Sequence, residues 1–224
     1  MDGDFNKFKG PENSHNFEIN RLCKREAIKE RKQMEKKGHF VLIHGASHGA
    51  WCWYKVIPQL KSVGHKVTAM DMAGAGIHPK HVHEFKEKMD SDKAMDTQFG
   101  FHNGLDKPPT SACPGPNFLA SKFYQLSPPE DLTLALTLVR HVCFFNDEES
   151  IKAVALTKEK YGTVPQVYIV CGKDNILKQD FQRWIVENSP PNEVKLIPDS
   201  DHMIMFSKPK ELCSCLEEIA EKYT

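Results

Sequence analysis

The first apolar run of the chain, His39-Phe40-Val41-Leu42-Ile43, is short, unbroken and stopped by His44-Gly45, which is the pattern of a buried strand. A helix is predicted through Tyr54-Lys55-Val56-Ile57-Pro58-Gln59-Leu60, with Gly64 suited to close it, and a second strand through Lys66 to Asp71. The same alternation returns toward the C-terminus. Strands are predicted at Val167–Cys171 and Val194–Ile197, and a helix around Phe181–Ile185 lies between them. A terminal helix sets Leu212, Leu216, Ile219, Ala220 and Tyr223 on one face. Strands that alternate with helices predict an α/β fold, a mostly parallel sheet with helices on both faces.

Between these regular ends the pattern dissolves. Residues 77–116 carry histidines, prolines, glycines and charges with no sustained period, and a loop of that length is itself unusual. Helical signals resume at Asn117-Phe118-Leu119-Ala120. They resume again after Ser127-Pro128-Pro129-Glu130, where Ser127 as N-cap and Glu130 three positions on predict a capping box and a helix from Leu132 to Phe145. Residues 1–38 are too polar to bury a helical stripe and read as an unpacked tail. The expected organisation is therefore a tail, residues 1–38, and one domain, residues 39–224, with residues 110–145 as a cap-like helical region.

Composition narrows the classes of function. An apolar fraction of 40% supports a single modest core, and equal numbers of acidic and basic residues give no reason to expect nucleic acid or an anionic membrane as partner. A small neutral or weakly polar ligand fits, and the oligomeric state is left open. The seven cysteines are an odd number without CxxC spacing, which reads as reduced thiols. Cys213-Ser214-Cys215 reads as packing, since such positions do not meet on a helix. There is no secretory leader and no apolar run near the roughly 20 residues needed to span a bilayer, so a cytoplasmic protein is expected. His78, His81 and His83 lack partners at ligand spacing, so neither a metal nor a cofactor is expected.

In parallel sheets, working residues gather in the loops at the carboxyl ends of strands. Three such loops carry chemistry: His44-Gly45-Ala46-Ser47-His48-Gly49, Gly172-Lys173-Asp174 and Asp199-Ser200-Asp201-His202-Met203. Asp174 and His202 lie where a hydrolase keeps the acid and base of a catalytic triad, although a turn aspartate and a loop histidine satisfy the same pattern. Gly45-Ala46-Ser47-His48-Gly49 spells G-x-S-x-G, follows a strand, and gives the order Ser47, Asp174, His202.

The run His39 to Tyr54, with Met95-Asp96-Thr97-Gln98-Phe99, Gly115-Pro116-Asn117-Phe118-Leu119-Ala120, Tyr124 to Leu132, Phe181-Gln182-Arg183-Trp184 and Asp201-His202-Met203, resembles the plant methylesterase and hydroxynitrile lyase family over nearly all of residues 39–224. The resemblance implies an α/β-hydrolase fold, with Asp174 as triad acid, His202 as general base and the Ala46 N–H as one oxyanion donor. It also implies a departure. The family carries a helix, a strand with a G-H-S-L-G nucleophile elbow, another helix and a further strand where this chain has only a short interval between Gly76 and Met95. By the resemblance Ser47 falls on the oxyanion loop, a position that does not hold the nucleophile.

The reading is an inactive methylesterase, related to carboxylesterases that hydrolyse methyl esters of salicylate, jasmonate and indole-3-acetate type hormones. Its sheet is shortened by loss of the central strands and the elbow, a gap of about 14 Å at the usual strand spacing. The alternatives are non-catalytic binding of a small apolar acid or a partner, and an active ester hydrolase that has recruited Ser47. Hydroxynitrile lyase chemistry fails for want of the same serine.

Overall fold

The structure, a computed structural model, describes residues 21–22, 24–25, 37–72, 95–144 and 162–223. The chain divides into two units, residues 1–38 and 39–224. In the first, Arg21, Leu22, Lys24 and Arg25 are helical, and most of the expected tail lies outside the described residues. So do His78, His81 and His83.

The second unit begins with strand β1 (His39–Ile43), a 3₁₀ turn (Ala50–Trp53), helix α1 (Val56–Ser62) and strand β2 (Lys66–Met70). β1 and β2 pair in parallel, His39 opposite Lys66 and Ile43 opposite Met70. Gly64 follows α1 at φ +96°, a conformation that glycine adopts without a Cβ clash. A second parallel pair lies at the other end of the sequence. Strand β6 (Val167–Cys171) runs beside β7 (Glu193–Ile197), with helix α4 (Gln179–Asn188) between them in the chain. After β7 come a short helix, α5 (Ile204–Ser207), and the terminal helix α6 (Pro209–Tyr223).

No strand among the described residues joins the β1–β2 pair to the β6–β7 pair. They are joined instead by one apolar core. Leu42 of β1, Val56 and Leu60 of α1, Ile197 of β7, Ile204 of α5 and Leu212 of α6 are buried together, with Phe40, Val67, Ala69 and Ile169 packed against them. Removing that apolar surface from water, at about 25 cal/mol per Å², is what holds the two pairs to one face of α1 and α6. The opposite face differs from the expectation of a sheet covered on both sides. There Val41, Ile43, Val194 and Leu196 are each about half exposed. The strands keep the apolar run of a doubly buried sheet, but only one of its faces is covered at these positions.

The middle of the chain also departs from the sequence pattern. Residues 98–143 hold a three-stranded antiparallel sheet of β3 (Gln98–Gly100), β4 (Ser111–Cys113) and β5 (Val142–Cys143), too short to leave a readable period. The expected cap is thus part strand and part helix. Its helices are α2 (Pro116–Phe118), which continues as a π-helical stretch over Leu119–Phe123, and α3 (Pro129–Leu138). Helix α3 stops at Leu138 and not at Phe145, because Val139 turns extended and the next residues pair with β4. The capping box is not formed: α3 starts after Pro128 with no side-chain cap, and the Ser127 hydroxyl donates to Asp201 at 2.9 Å. A buried carboxylate is the stronger acceptor for that hydroxyl.

Six cysteines among the described residues are free thiols. Cys213 and Cys215 are both buried in the core, and burial pushes the Cys52 thiol up to about 12 and Cys213 to about 11, which keeps them protonated. No helix among the described residues is long and apolar enough to cross a membrane.

Two substitutions test this account. Asp131, fully buried on α3, accepts from the Tyr54 hydroxyl and the Lys55 ammonium. Asp131→Ala should cost about 1–3 kcal/mol in urea unfolding, below the loss for a wholly buried pair because Lys55 can turn to water. A Cβ on Gly172 would lie 2.2 Å from the Pro198 carbonyl oxygen, which belongs to backbone and cannot give. Gly172→Ala should therefore lower stability by about 1–3 kcal/mol, measured in the same way.

Candidate active site

Two of the three expected loops meet at the ends of β6 and β7. The close approach at Gly172 brings the loop after β6 against the loop after β7, and the Lys173 N–H donates to the Ser200 carbonyl at 2.9 Å. Asp174 and His202 stand on these loops. His202 Nδ1 lies 2.9 Å from Asp174 Oδ2. The other oxygen of Asp174 accepts the backbone N–H groups of Ile176 and Leu177 at 2.7 and 2.9 Å. A carboxylate with one oxygen so occupied has a fixed orientation, and it holds the imidazole with its proton on Nδ1 and Nε2 free to act as a base. Nε2 has no hydrogen-bond partner among the described residues, and the edge of the ring meets Phe123 at 4.7 Å between centroids.

Gln182, buried on α4, explains how β6 ends without a strand on its other side. The Gly172 N–H bonds back to Ile197, so the N–H and C=O of Cys171 face away from β7. The Gln182 amide satisfies both, accepting at 3.0 Å and donating at 2.9 Å. A side-chain amide here takes the place of a neighbouring strand. The sequence signalled Gln182 only as a polar residue on a helix face; its burial is visible only in three dimensions.

The third loop, after β1, turns sharply at Ala46 and Ser47, where Ser47 has φ +62°. His44 Nδ1–H donates to the Gly45 carbonyl at 2.8 Å, and its Nε2 accepts the Met72 N–H at 3.0 Å. His48, almost fully buried, donates from Nδ1 to the Ala46 carbonyl at 2.8 Å and accepts at Nε2 from the Tyr124 hydroxyl at 2.7 Å. Ala46 is exposed, and its N–H has no partner among the described residues. Ser47 is buried and makes no hydrogen bond to His202. The structure thus joins Asp174 to His202 and leaves Ser47 out of that pair.

One stretch, Ser121–Ser127, bonds to all three loops. Tyr124 meets His48 of the first. Gln125 donates to the Lys173 carbonyl and Asn175 donates to the Ser121 carbonyl, which ties the second. Leu126 N–H and the Ser127 hydroxyl both donate to Asp201 Oδ2 at 2.9 Å, and Asp201 Oδ1 accepts the Met203 N–H at 3.0 Å, which ties the third. No local pattern in the sequence signals the roles of His48, Tyr124 or Asp201, since the partners that tie them together, Tyr124 to His48 and Leu126 and Ser127 to Asp201, lie more than 70 residues apart.

Burial pushes the His48 imidazole down to about 4, so it is neutral near pH 7. Burial likewise raises the Tyr124 phenol far above its ordinary value, which keeps the hydroxyl a donor.

No family model matches the chain. Similar proteins include methyl jasmonate esterase 1 of Vitis vinifera, 42% identical with 85% of this chain and 100% of that protein covered. Salicylic acid-binding protein 2 of Nicotiana tabacum is 34% identical, again with 85% and 100% covered. Among solved structures, tomato methylketone synthase I complexed with 2-tridecanone superposes with a TM-score of 0.76 at 32% identity, covering 84% of this chain and 99% of that one. The match to the Vitis protein spreads 85% of 224 residues, about 190, over 261 aligned positions, so roughly 70 of those positions have no counterpart here. With its parallel strand pairs, its Asp174–His202 pair and this similarity along the whole length of the relatives, the chain belongs to the plant methylesterase family of α/β-hydrolases.

Proposed function

We propose that this methylesterase relative holds a small carboxylic acid, or its methyl ester, without hydrolysing it. The observation that carries the reading is the Asp174–His202 pair whose Nε2 finds no hydroxyl among the described residues. His202 is the base and Asp174 the residue that orients it. Ester hydrolysis by this route needs an alkoxide from serine to attack the ester carbonyl, and none of the described residues offers His202 such a proton.

Loss of the elbow also removes the backbone N–H that follows the nucleophile, leaving Ala46 as the sole oxyanion donor inherited from the family. In subtilisin, removal of the triad serine costs about 10⁶-fold in kcat, and the residual rate rests on an oxyanion hole that is incomplete here. The shortfall of roughly 70 aligned positions supports the same reading. Binding makes smaller demands. A carboxylate needs a donor from Ala46 and a protonated His202, whose Nε2–H would then donate to it beside the ring of Phe123. The named relatives include a methyl jasmonate esterase and a salicylic acid-binding protein, so aromatic and cyclopentanone acids of that size are the class to examine first.

A rival reading makes Ser47 the nucleophile. Its φ of +62° is a backbone conformation that a strained elbow also uses, but it lies on the oxyanion loop and makes no bond to His202.

Two measurements decide. Purified protein should resist a fluorophosphonate probe; labelling that vanishes in Ser47→Ala would replace this reading with the rival. In calorimetry, salicylate or jasmonate should bind and methyl salicylate should release no methanol. His202→Ala should weaken acid binding about tenfold, equivalent to about 1.4 kcal/mol. Catalytic methanol release abolished by His202→Ala, or no detectable binding of either acid, would overturn the proposal.

A further inference from the structure

The loop after β1 has to hold one amide, that of Ala46, in a fixed direction while being exposed itself. The peptide group that contains this N–H also contains the Gly45 carbonyl. Because a trans peptide is planar, fixing that carbonyl aims the N–H the opposite way. His44 Nδ1–H grips the Gly45 carbonyl at 2.8 Å, and the His48 N–H approaches it at 3.4 Å. The next peptide is gripped as well, by His48 Nδ1–H on the Ala46 carbonyl at 2.8 Å. Two histidines therefore clamp the peptides on either side of Ala46.

An imidazole clamps a carbonyl only in the tautomer that carries its proton on that nitrogen. For His44 the choice is made by the Met72 N–H, which can only donate to Nε2. For His48 the neighbour is the Tyr124 hydroxyl, at 2.7 Å from Nε2. Since the Ala46 carbonyl only accepts, Nδ1 must donate, and the hydroxyl must donate to Nε2. The ring is also held by its surroundings, lying near-parallel to Trp51 at 5.3 Å, Phe123 at 5.9 Å and Tyr124 at 6.0 Å. Its neutral state follows from burial, with His202 and His44 adding like-charge repulsion.

We infer that His48 and Tyr124 are a positioning pair: the Ala46 carbonyl fixes the His48 tautomer, the Tyr124 hydroxyl secures it by donating to Nε2, and His48 so anchored holds the Ala46–Ser47 peptide, which lets the adjoining Gly45–Ala46 peptide aim its free N–H at an anionic oxygen bound in front of His202. Neither side chain touches the ligand. The Phe123 ring that stacks on His48 also meets His202, so this pair couples the donor loop to the base. The inference rests on the acid-binding reading for its ligand, but its structural half stands apart from it.

The test uses full-length protein, with salicylate as the probe and a ligand-free readout beside it. Two-bond imidazole spectra should place the His48 proton on Nδ1 in the wild type, and the Ala46 amide order parameter should fall from about 0.85 to below about 0.6 in His48→Phe. Salicylate should bind at least tenfold more weakly to His48→Phe. His48→Asn, whose amide can reach the Ala46 carbonyl from the Nδ1 position, should recover most of that loss. Tyr124→Phe removes one oxygen and replaces His48→Phe should that variant not fold; it should weaken salicylate binding about fivefold and lower the Ala46 order parameter as well.

If wild-type protein fails to bind salicylate, the acid-binding reading is what falls, and the tautomer and order-parameter measurements alone judge the pair. An Nε2–H tautomer in the wild type would overturn the inference. So would a folded His48→Phe or Tyr124→Phe variant with an unchanged Ala46 order parameter, or with unchanged salicylate affinity where the wild type binds.

Discussion

The buried carboxylate of Asp201 is the contact on which the site depends. It is fully removed from solvent and accepts three hydrogen bonds, from Leu126 N–H, the Ser127 hydroxyl and Met203 N–H. A carboxylate in such a place would be costly without those donors. With them it binds the cap stretch to the loop that carries His202. The same stretch reaches His48 through Tyr124 and the Asp174 loop through Gln125 and Asn175. One segment thereby does for the three loops what continuous strand pairing would otherwise do from beneath.

That arrangement suits a sheet in two parallel pairs. Hydrogen bonding carries order along β1–β2 and along β6–β7, but no ladder among the described residues crosses between them. What crosses is apolar packing on one face, through α1 and α6, and polar stapling above the strand ends. Packing is tolerant of direction, whereas the staples are directional. The fold can thus keep its loops in place with only one covered face at β1 and β7, and Gln182 closes the strand end that a neighbouring strand would have closed.

The chemistry-bearing side chains of the described residues are held in pairs within these loops. Asp174 and His202 need only the β6 and β7 ends, and those ends are held by the close approach at Gly172. The Ala46 peptides are held by the two histidines of the loop after β1, which are in turn anchored by Met72 and Tyr124. The Asp174–His202 pair and the loop after β1 are thus held by different parts of the fold, and roughly 70 positions of the alignment to the Vitis protein have no counterpart here.

The sequence alone determined the long elements and the chemistry-bearing loops. Apolar runs within His39–Ile43 and Val167–Cys171 are strands, and the loops that bring Asp174 and His202 together were legible as the segments that follow parallel strands. It could not determine the short strands at Gln98–Gly100, Ser111–Cys113 and Val142–Cys143, since two or three residues carry no period. Nor could it assign Ser127, where a local capping signal lost to a distant buried carboxylate. The tertiary structure decided those points, and with them the partners of His48, Tyr124, Asp201 and Gln182. The physical reason is one of range: periodicity and capping act between near neighbours, whereas a buried polar atom takes whichever partner the fold brings within hydrogen-bond distance, however far away it lies in the chain.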